Sequence, residues 1–152
     1  MFSHPAHFFA LGFGSGLAKK APGTFGTIAA FPLFFVMPTN ASWVLPLLVL
    51  FFIGGVYACG ITGKHLGVSD HGAIVWDEIV AFLLLLHFVP PSGIAWLVAF
   101  ILFRLFDIWK PFPIRQCDAM LKGGFGVMFD DLLAAIYAFL TMLGLQWLIT
   151  HF

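Results

Sequence analysis

Trp43-Val-Leu-Pro-Leu-Leu-Val-Leu-Phe-Phe-Ile-Gly-Gly-Val-Tyr-Ala-Cys-Gly-Ile61 runs for nineteen residues without one charged side chain. A helix rises 1.5 Å per residue, so a run of this length reaches across roughly 30 Å of hydrocarbon. Residues 132–150 form a second run of the same kind. Shorter apolar stretches lie at 25–38, 79–89 and 94–103, and the last two lengthen to 72–89 and 94–109 if their charged flanks are helical. All five are apolar all round, which is the pattern of helices set in lipid or fully buried.

Composition agrees. The chain has 152 residues, of which 61% are apolar and only 9% charged, against about 25% charged in a soluble domain. Mean hydropathy is +1.02. Too few polar side chains remain to cover a water-facing surface, and disorder is excluded by the apolar content. Seven basic residues balance seven acidic ones, so nothing favours nucleic acid as a partner. Cys59 and Cys117 have no neighbouring cysteine and suggest neither a disulfide framework nor a zinc site. Residues 1–12 lack a basic start and a small-residue cleavage motif, so no cleaved signal peptide is expected. The expectation is an all-α fold: one domain over 1–152, a small polytopic membrane bundle.

The charges are clumped. Every charged residue falls between Lys19 and Asp131, in the stretches 19–20, 64–78 and 104–131. Thr39-Asn-Ala-Ser42 and Pro90-Pro-Ser-Gly93 are short uncharged turns that suit helical hairpins. Counting crossings then places 1–24, 62–78 and 104–131 on one side of the membrane. The positive-inside rule makes that side cytoplasmic. Four or five crossings both fit.

Two segments echo each other. Val75-Trp-Asp-Glu-Ile-Val-Ala81 and Met128-Phe-Asp-Asp-Leu-Leu-Ala134 share the order apolar, aromatic, acid, acid, three apolar. Each is read as beginning a helix that enters the membrane from the charged side. Neighbouring residues on a helix point about 100° apart, so each pair is expected to turn one carboxylate inward and one toward a surrounding layer or the rim. An acid at a helix N-terminus is ordinarily favoured by the macrodipole. Doubled acids among Trp76, Ile79, Phe129 and Leu132 go beyond that, because an ionised group in an apolar helix costs roughly 2.5–3.5 kcal/mol near the bilayer centre. An oxygen-liganded divalent cation, Mg²⁺ in particular, offsets such charges. On this reading Asp77, Glu78, Asp130 and Asp131 are the metal ligands.

In Phe103-Arg-Leu-Phe-Asp-Ile-Trp-Lys110 the charges recur at i, i+3 and i+6, along one helical face. Pro111 and Pro113 end that helix and leave Arg115 in the turn. Arg and Lys are the usual partners of phosphate oxygens, so Arg104, Lys110, Arg115 and Lys64 are candidates for binding a phosphate. The alternative for the stripe is an intrahelical ion pair worth a few tenths of a kcal/mol. Glycine-rich runs at 12–16, 22–27 and 123–126 can offer backbone N–H groups to an anion, although neither nucleotide fingerprint is matched. Thr24 reads equally as a helix cap. Gly54 and Ala58 form a small-xxx-small pair expected to pack two helices together. Among the histidines, His71 beside Asp70 is placed for chemistry. His65 has no pattern behind it, and His4, His7, His87 and His151 are expected to carry no function.

Taken in order, Ala10-Leu-Gly-Phe-Gly-Ser-Gly16, Ala21-Pro-Gly-Thr24, Asp70-His-Gly-Ala-Ile-Val-Trp-Asp-Glu78, Phe103-Arg-Leu-Phe-Asp-Ile-Trp-Lys-Pro-Phe-Pro-Ile-Arg115 and Gly123-Gly-Phe-Gly-Val-Met-Phe-Asp-Asp131 resemble the phosphatidylglycerophosphatase A family. The resemblance covers about residues 8–140. It departs at His65, where an acid is expected after Lys64. It implies a Mg²⁺-dependent lipid phosphatase of the bacterial inner membrane, with its site facing the cytoplasm. The implied reaction takes the terminal phosphomonoester from phosphatidylglycerophosphate to give phosphatidylglycerol and phosphate. The partners are then a phospholipid and the membrane, with no obligate protein partner. Asp107, His71 and Asp70 are candidates for catalysis, and Asp107 reads equally as a further ligand, a base, or the group that orients Arg104 and Lys110.

Other phosphatase chemistries lack their residues. No cysteine is followed by Arg six positions later, and Asp-x-Asp does not occur. Pro91-Ser-Gly93 is followed by Ile94 instead of the histidine that a histidine-type lipid phosphatase needs. The alternative from another class is a small transporter or channel for a divalent cation or phosphate. It would need ionisable groups along a path through the membrane and inverted repeats, whereas the acid repeat here is parallel.

Overall fold

The computed structural model describes residues 5–68 and 70–151. Helix α1 spans Pro5–Ala10 and a 3₁₀ segment follows at Gly12–Leu17. Helices α2 (Pro22–Val36), α3 (Ala41–Leu66), α4 (Trp76–Phe88), α5 (Gly93–Trp109), α6 (Ile114–Met120) and α7 (Gly123–His151) complete the chain. No strand occurs among the described residues. His4 lies outside them.

The ends of the helices follow local chemistry. Pro22 opens α2, where its missing N–H costs nothing. Asn40 caps α3 by accepting from the Ser42 N–H at 2.9 Å, and Ser92 caps α5 by accepting from the Ala95 N–H at 3.1 Å. Gly67, at φ +74°, closes α3 in the left-handed conformation that glycine adopts without strain.

The bundle is inside out relative to a soluble protein. Asp77, Glu78, Asp130 and Asp131 are buried, while Ile94, Leu97, Ile101, Leu105 and Ile108 form an exposed apolar stripe along α5. Val49, Leu50, Ile53 and Tyr57 do the same on α3, and Leu140, Trp147 and Ile149 on α7. Such a surface needs an apolar solvent. Helices α3 and α7 are each long and apolar enough to cross a bilayer, so the chain is an all-helical membrane bundle.

Helix α4 is the axis. Its residues Ile79–Leu83, Leu85 and Leu86 are buried on every side, with α2, α3, α5 and α7 packed around it. Helices α3 and α7 cross closely because Gly124 lacks a side chain: a Cβ there would stand 1.8 Å from the Val56 carbonyl oxygen. Helices α2 and α3 both pack on α4 yet scarcely touch one another.

Three features differ from the sequence reading. Helix α7 begins at Gly123, so Asp130–Asp131 sit two turns inside it instead of at its start. Helix α4 begins at Trp76, not Gly72. The preceding residues form a loop held by the N-terminal segment, where the Val75 N–H donates to Ala10 O at 2.9 Å. Arg115, expected in a turn, lies in the first turn of α6. Prolines 111 and 113 end α5 as expected, but their fixed φ also suits the entry to another helix.

Candidate active site

The first turn of α4, the third turn of α7, the end of α5, the short α6 and the loop before α4 bring acids to one end of the bundle. They form two clusters. In the first, Glu78, Asp107 and Asp131 each offer an oxygen within 4.8 Å of the others; in the second, Asp70, Asp118 and Asp130 do the same. Each cluster has one cation bonded to two of its three acids. Arg104 donates to Glu78 at 3.1 Å and to Asp107 at 2.5 Å. Lys110 donates to Asp130 and stands 3.3 Å from Asp118.

Asp77 belongs to neither cluster, although it is buried and feels the charges of Glu78, Asp70, Asp130 and Asp107. All seven acids of the chain are thus gathered around two of its cations. All four side chains of the two pairs are buried, so neither pair turns a carboxylate to the rim. The 100° step between neighbours instead sends Asp130 and Asp131 into different clusters.

The basic stripe is also split. Arg104 and Asp107 pair along α5 as i, i+3 predicts. Lys110 leaves the helix at φ +45°, and this left-handed cap swings its side chain to α6 and α7. Burial pulls the Lys110 ammonium down. The hydrogen bond and charge of Asp130 outweigh that, and it titrates above the usual lysine range. Asp70 is at the rim, yet neighbouring elements strip water from its carboxyl and raise it above the usual aspartate range. Lys110 opposes that rise, and Asp118 and Asp107 add to it.

Arg115 is exposed beside Lys110, and the two line a cavity of about 380 Å³ with Trp109, Phe112 and Gln116. His71 accepts the Ala73 N–H on Nδ1 at 3.2 Å, so a neutral ring carries its proton on Nε2. Lys64 is exposed near the end of α3 and makes no ion pair among the described residues. His7 is buried. Its Nδ1 lies 2.8 Å from Thr62 Oγ1 and its Nε2 3.0 Å from His65 Nδ1, which ties α1 to α3. His87 stays within its own helix, 2.7 Å from Leu83 O.

Sequence reasoning missed Asp118. Only its place in the charged stretch 104–131 marked it. Gly23 acquires a specific meaning: a Cβ there would lie 1.9 Å from Glu78 Oε1 and 2.9 Å from the Arg104 guanidinium. The start of α2 is pressed against that ion pair.

Four buried carboxylate oxygens have no hydrogen-bond partner among the described residues: Asp77 Oδ1, Glu78 Oε2, Asp130 Oδ1 and Asp131 Oδ2. Buried charge without compensation is strongly destabilising. An all-oxygen donor set with free oxygens fits a hard divalent cation, which takes carboxylate ligands.

An apolar exterior around one end packed with acids defines a helical membrane protein with a polyacidic site of two clusters. The chain belongs to the phosphatidylglycerophosphatase A family, whose family model matches residues 8–146. Phosphatidylglycerophosphatase A of Haemophilus influenzae is 46% identical over 147 residues, covering 95% of this chain and 90% of that protein. That of Escherichia coli is 43% identical over 151 residues, covering 95% and 87%. A Bacteroides thetaiotaomicron protein, provisionally named a phosphatidylinositol-3-phosphatase, is 38% identical over 148 residues, 91% of each chain. No solved structure matches.

Proposed function

We propose that the chain hydrolyses the terminal phosphomonoester of phosphatidylglycerophosphate, releasing phosphatidylglycerol and inorganic phosphate, as a Mg²⁺-dependent enzyme of a bacterial inner membrane. The names of the Haemophilus and Escherichia relatives support the substrate. The observation that carries the chemistry is the pair of three-acid clusters, each with one cation, beside four partnerless carboxylate oxygens.

Glu78, Asp107 and Asp131 would hold one divalent cation and Asp70, Asp118 and Asp130 a second, with Asp77 between them. A cation held there supplies Lewis-acid polarisation of the phosphoryl group. Lys110 and Arg115, on one cavity, attract the phosphate and fix its orientation. Arg104 balances the first cluster and keeps Asp107 and Glu78 in place. His71, neutral and protonated at Nε2, would offer that N–H as a hydrogen bond to a phosphate oxygen. The positive-inside rule puts this end of the bundle, and the site, in the cytoplasm.

The test is phosphate release from phosphatidylglycerophosphate by detergent-purified protein, with Mg²⁺ and then with EDTA. Release that stops on chelation supports the reading. Persistent release in EDTA would remove the metal from it, and no release from folded protein under any divalent cation would remove the reaction. Phosphatidylinositol 3-phosphate belongs in the same assay, because the Bacteroides relative carries that substrate in its name.

A further inference from the structure

Along α3, beneath α1 and the 3₁₀ segment, runs an apolar groove of about 380 Å³. Phe9, Phe13 and Trp76 line it together with Leu33 and Leu50, and Gly54 lies on the α3 side. Helix α1 packs on α3 beside it, and α2 reaches it only at Leu33. Gly54 was expected to bring two helices together. A Cβ on it would instead meet nothing within 4 Å, so no packing contact accounts for the glycine.

The groove is lined by the first residue of α4. Trp76 immediately precedes Asp77 and Glu78, and its indole N–H donates to Phe51 O at 3.1 Å, which fastens the start of α4 to the groove wall. Phe13 holds a left-handed backbone (φ +58°) that a phenylalanine rarely adopts. In that conformation its ring meets Trp76 edge-on at 5.7 Å, and Phe9 meets the same indole at 5.8 Å. Leu50 and Tyr57 on the outer lip are exposed, so the groove opens sideways toward lipid. From residue 50 to residue 58 it follows α3 for about 12 Å.

We propose that this groove seats one acyl chain of the phospholipid substrate and so holds the phosphomonoester at the acid clusters. The proposal rests on the phosphatase reading above. An acyl chain is the occupant because the groove is apolar, opens to the bilayer and is lined by Trp76, the residue that precedes the acid pair of α4. Its volume is that of a small-ligand site.

Two measurements decide it. Detergent-purified Gly54→Leu is assayed on dioleoyl and on dihexanoyl phosphatidylglycerophosphate. A filled groove is expected to lower the ratio of kcat/KM on the long chain to that on the short one by about tenfold, mostly through KM, as loss of a few buried methylenes requires. Gly144→Leu, at an exposed position on α7 where a Cβ also meets nothing, keeps the wild-type ratio. An unchanged ratio in Gly54→Leu, or an equal loss on both substrates as a partner helix in the groove would produce, overturns the proposal.

The second measurement uses the wild-type protein and needs no turnover. A phosphatidylglycerophosphate with a diazirine in one acyl chain is expected to label peptides holding Phe9–Phe13 and Leu50–Gly54 in preference to those from 139–150. The reverse preference overturns the acyl-chain site. Absent phosphate release alongside the expected labelling would sink the phosphatase reading and leave the groove a lipid site.

Discussion

Asp130 and Asp131 are consecutive on α7 and serve different clusters: Asp130 bonds Lys110 and meets Asp70 and Asp118, while Asp131 meets Glu78 and Asp107. One helical step thus joins two acid centres rigidly. If both centres act in one reaction, Asp130→Asn and Asp131→Asn each lower turnover by at least about 100-fold, and the double variant is little worse than either, as for residues that act as a unit. Phosphate release measured across a Mg²⁺ titration checks this. Additive losses would mean that the clusters work independently. Asp77→Asn is expected to abolish turnover with the protein still folded, and near-normal activity would take Asp77 out of the site.

Asp118 distinguishes the clusters from the four acids that the sequence brings to notice. It is half-buried on α6, 3.3 Å from Lys110, in the cluster with Asp70 and Asp130. Asp118→Asn is expected to raise the Mg²⁺ concentration for half-maximal activity by about 10–100-fold. The kcat at saturating Mg²⁺ changes less. An unchanged Mg²⁺ requirement would show that Asp118 only anchors Lys110.

Gly23 carries no functional group, yet its substitution reaches the site directly. A Cβ would collide with Glu78 Oε1 and the Arg104 guanidinium, and overpacking of this kind costs about 1–3 kcal/mol or is relieved by moving the pair. Gly23→Ala is therefore expected to lower kcat by about tenfold or more, since misplaced catalytic groups lose rate steeply. Gly144→Ala, with open space around it, keeps full activity. Equal activity in the two variants would separate the Glu78–Arg104 geometry from catalysis.

Cation binding is measurable apart from activity. Partnerless buried oxygens on Asp77, Glu78, Asp130 and Asp131 gain partners when a divalent cation binds the folded state alone. At 100 times its dissociation constant such a cation adds about 2.7 kcal/mol of stability, which in a chain of this size raises Tm by about 5–10 °C. Thermal unfolding in detergent with Mg²⁺ against EDTA reads the shift. The shift is expected to shrink in Asp131→Asn and to vanish in a variant lacking both Asp130 and Asp131 carboxylates.

What the sequence disclosed and what it withheld divide along physical lines. Long runs such as 43–61 announce membrane helices because hydrocarbon thickness fixes their length. The acid pairs stand out because charge is costly in apolar surroundings. Pairing between elements was not legible. Lys110 lies on the predicted face with Arg104 and Asp107, but a left-handed cap turns it away to Asp130 and Asp118. Asp118 has no local pattern, because its role comes only from where α6 packs on α7. The fold of 5–17 was equally hidden: its short, aromatic segments are set by tertiary contacts, such as Gly16 lying against the Ala73 carbonyl.

Two glycines on α7 are expected to respond in opposite directions to the same change. Gly124 lies where α7 crosses α3, and a Cβ there would stand 1.8 Å from Val56 O and 2.7 Å from Gly60 N, both backbone atoms that cannot step aside as a flexible side chain does. Gly124→Ala therefore forces the helices apart at a cost of about 1–3 kcal/mol. Because Met128 and the two acids follow on the same helix, the displacement carries to both clusters. Gly144 has nothing within 4 Å, so Gly144→Ala meets no clash and gains up to about 1 kcal/mol from helix propensity. Thermal unfolding of the purified variants should place Gly124→Ala below the wild type and Gly144→Ala at or above it. A Gly124→Ala protein with wild-type Tm would mean that α3 and α7 do not cross as closely as Gly124 and Val56 require.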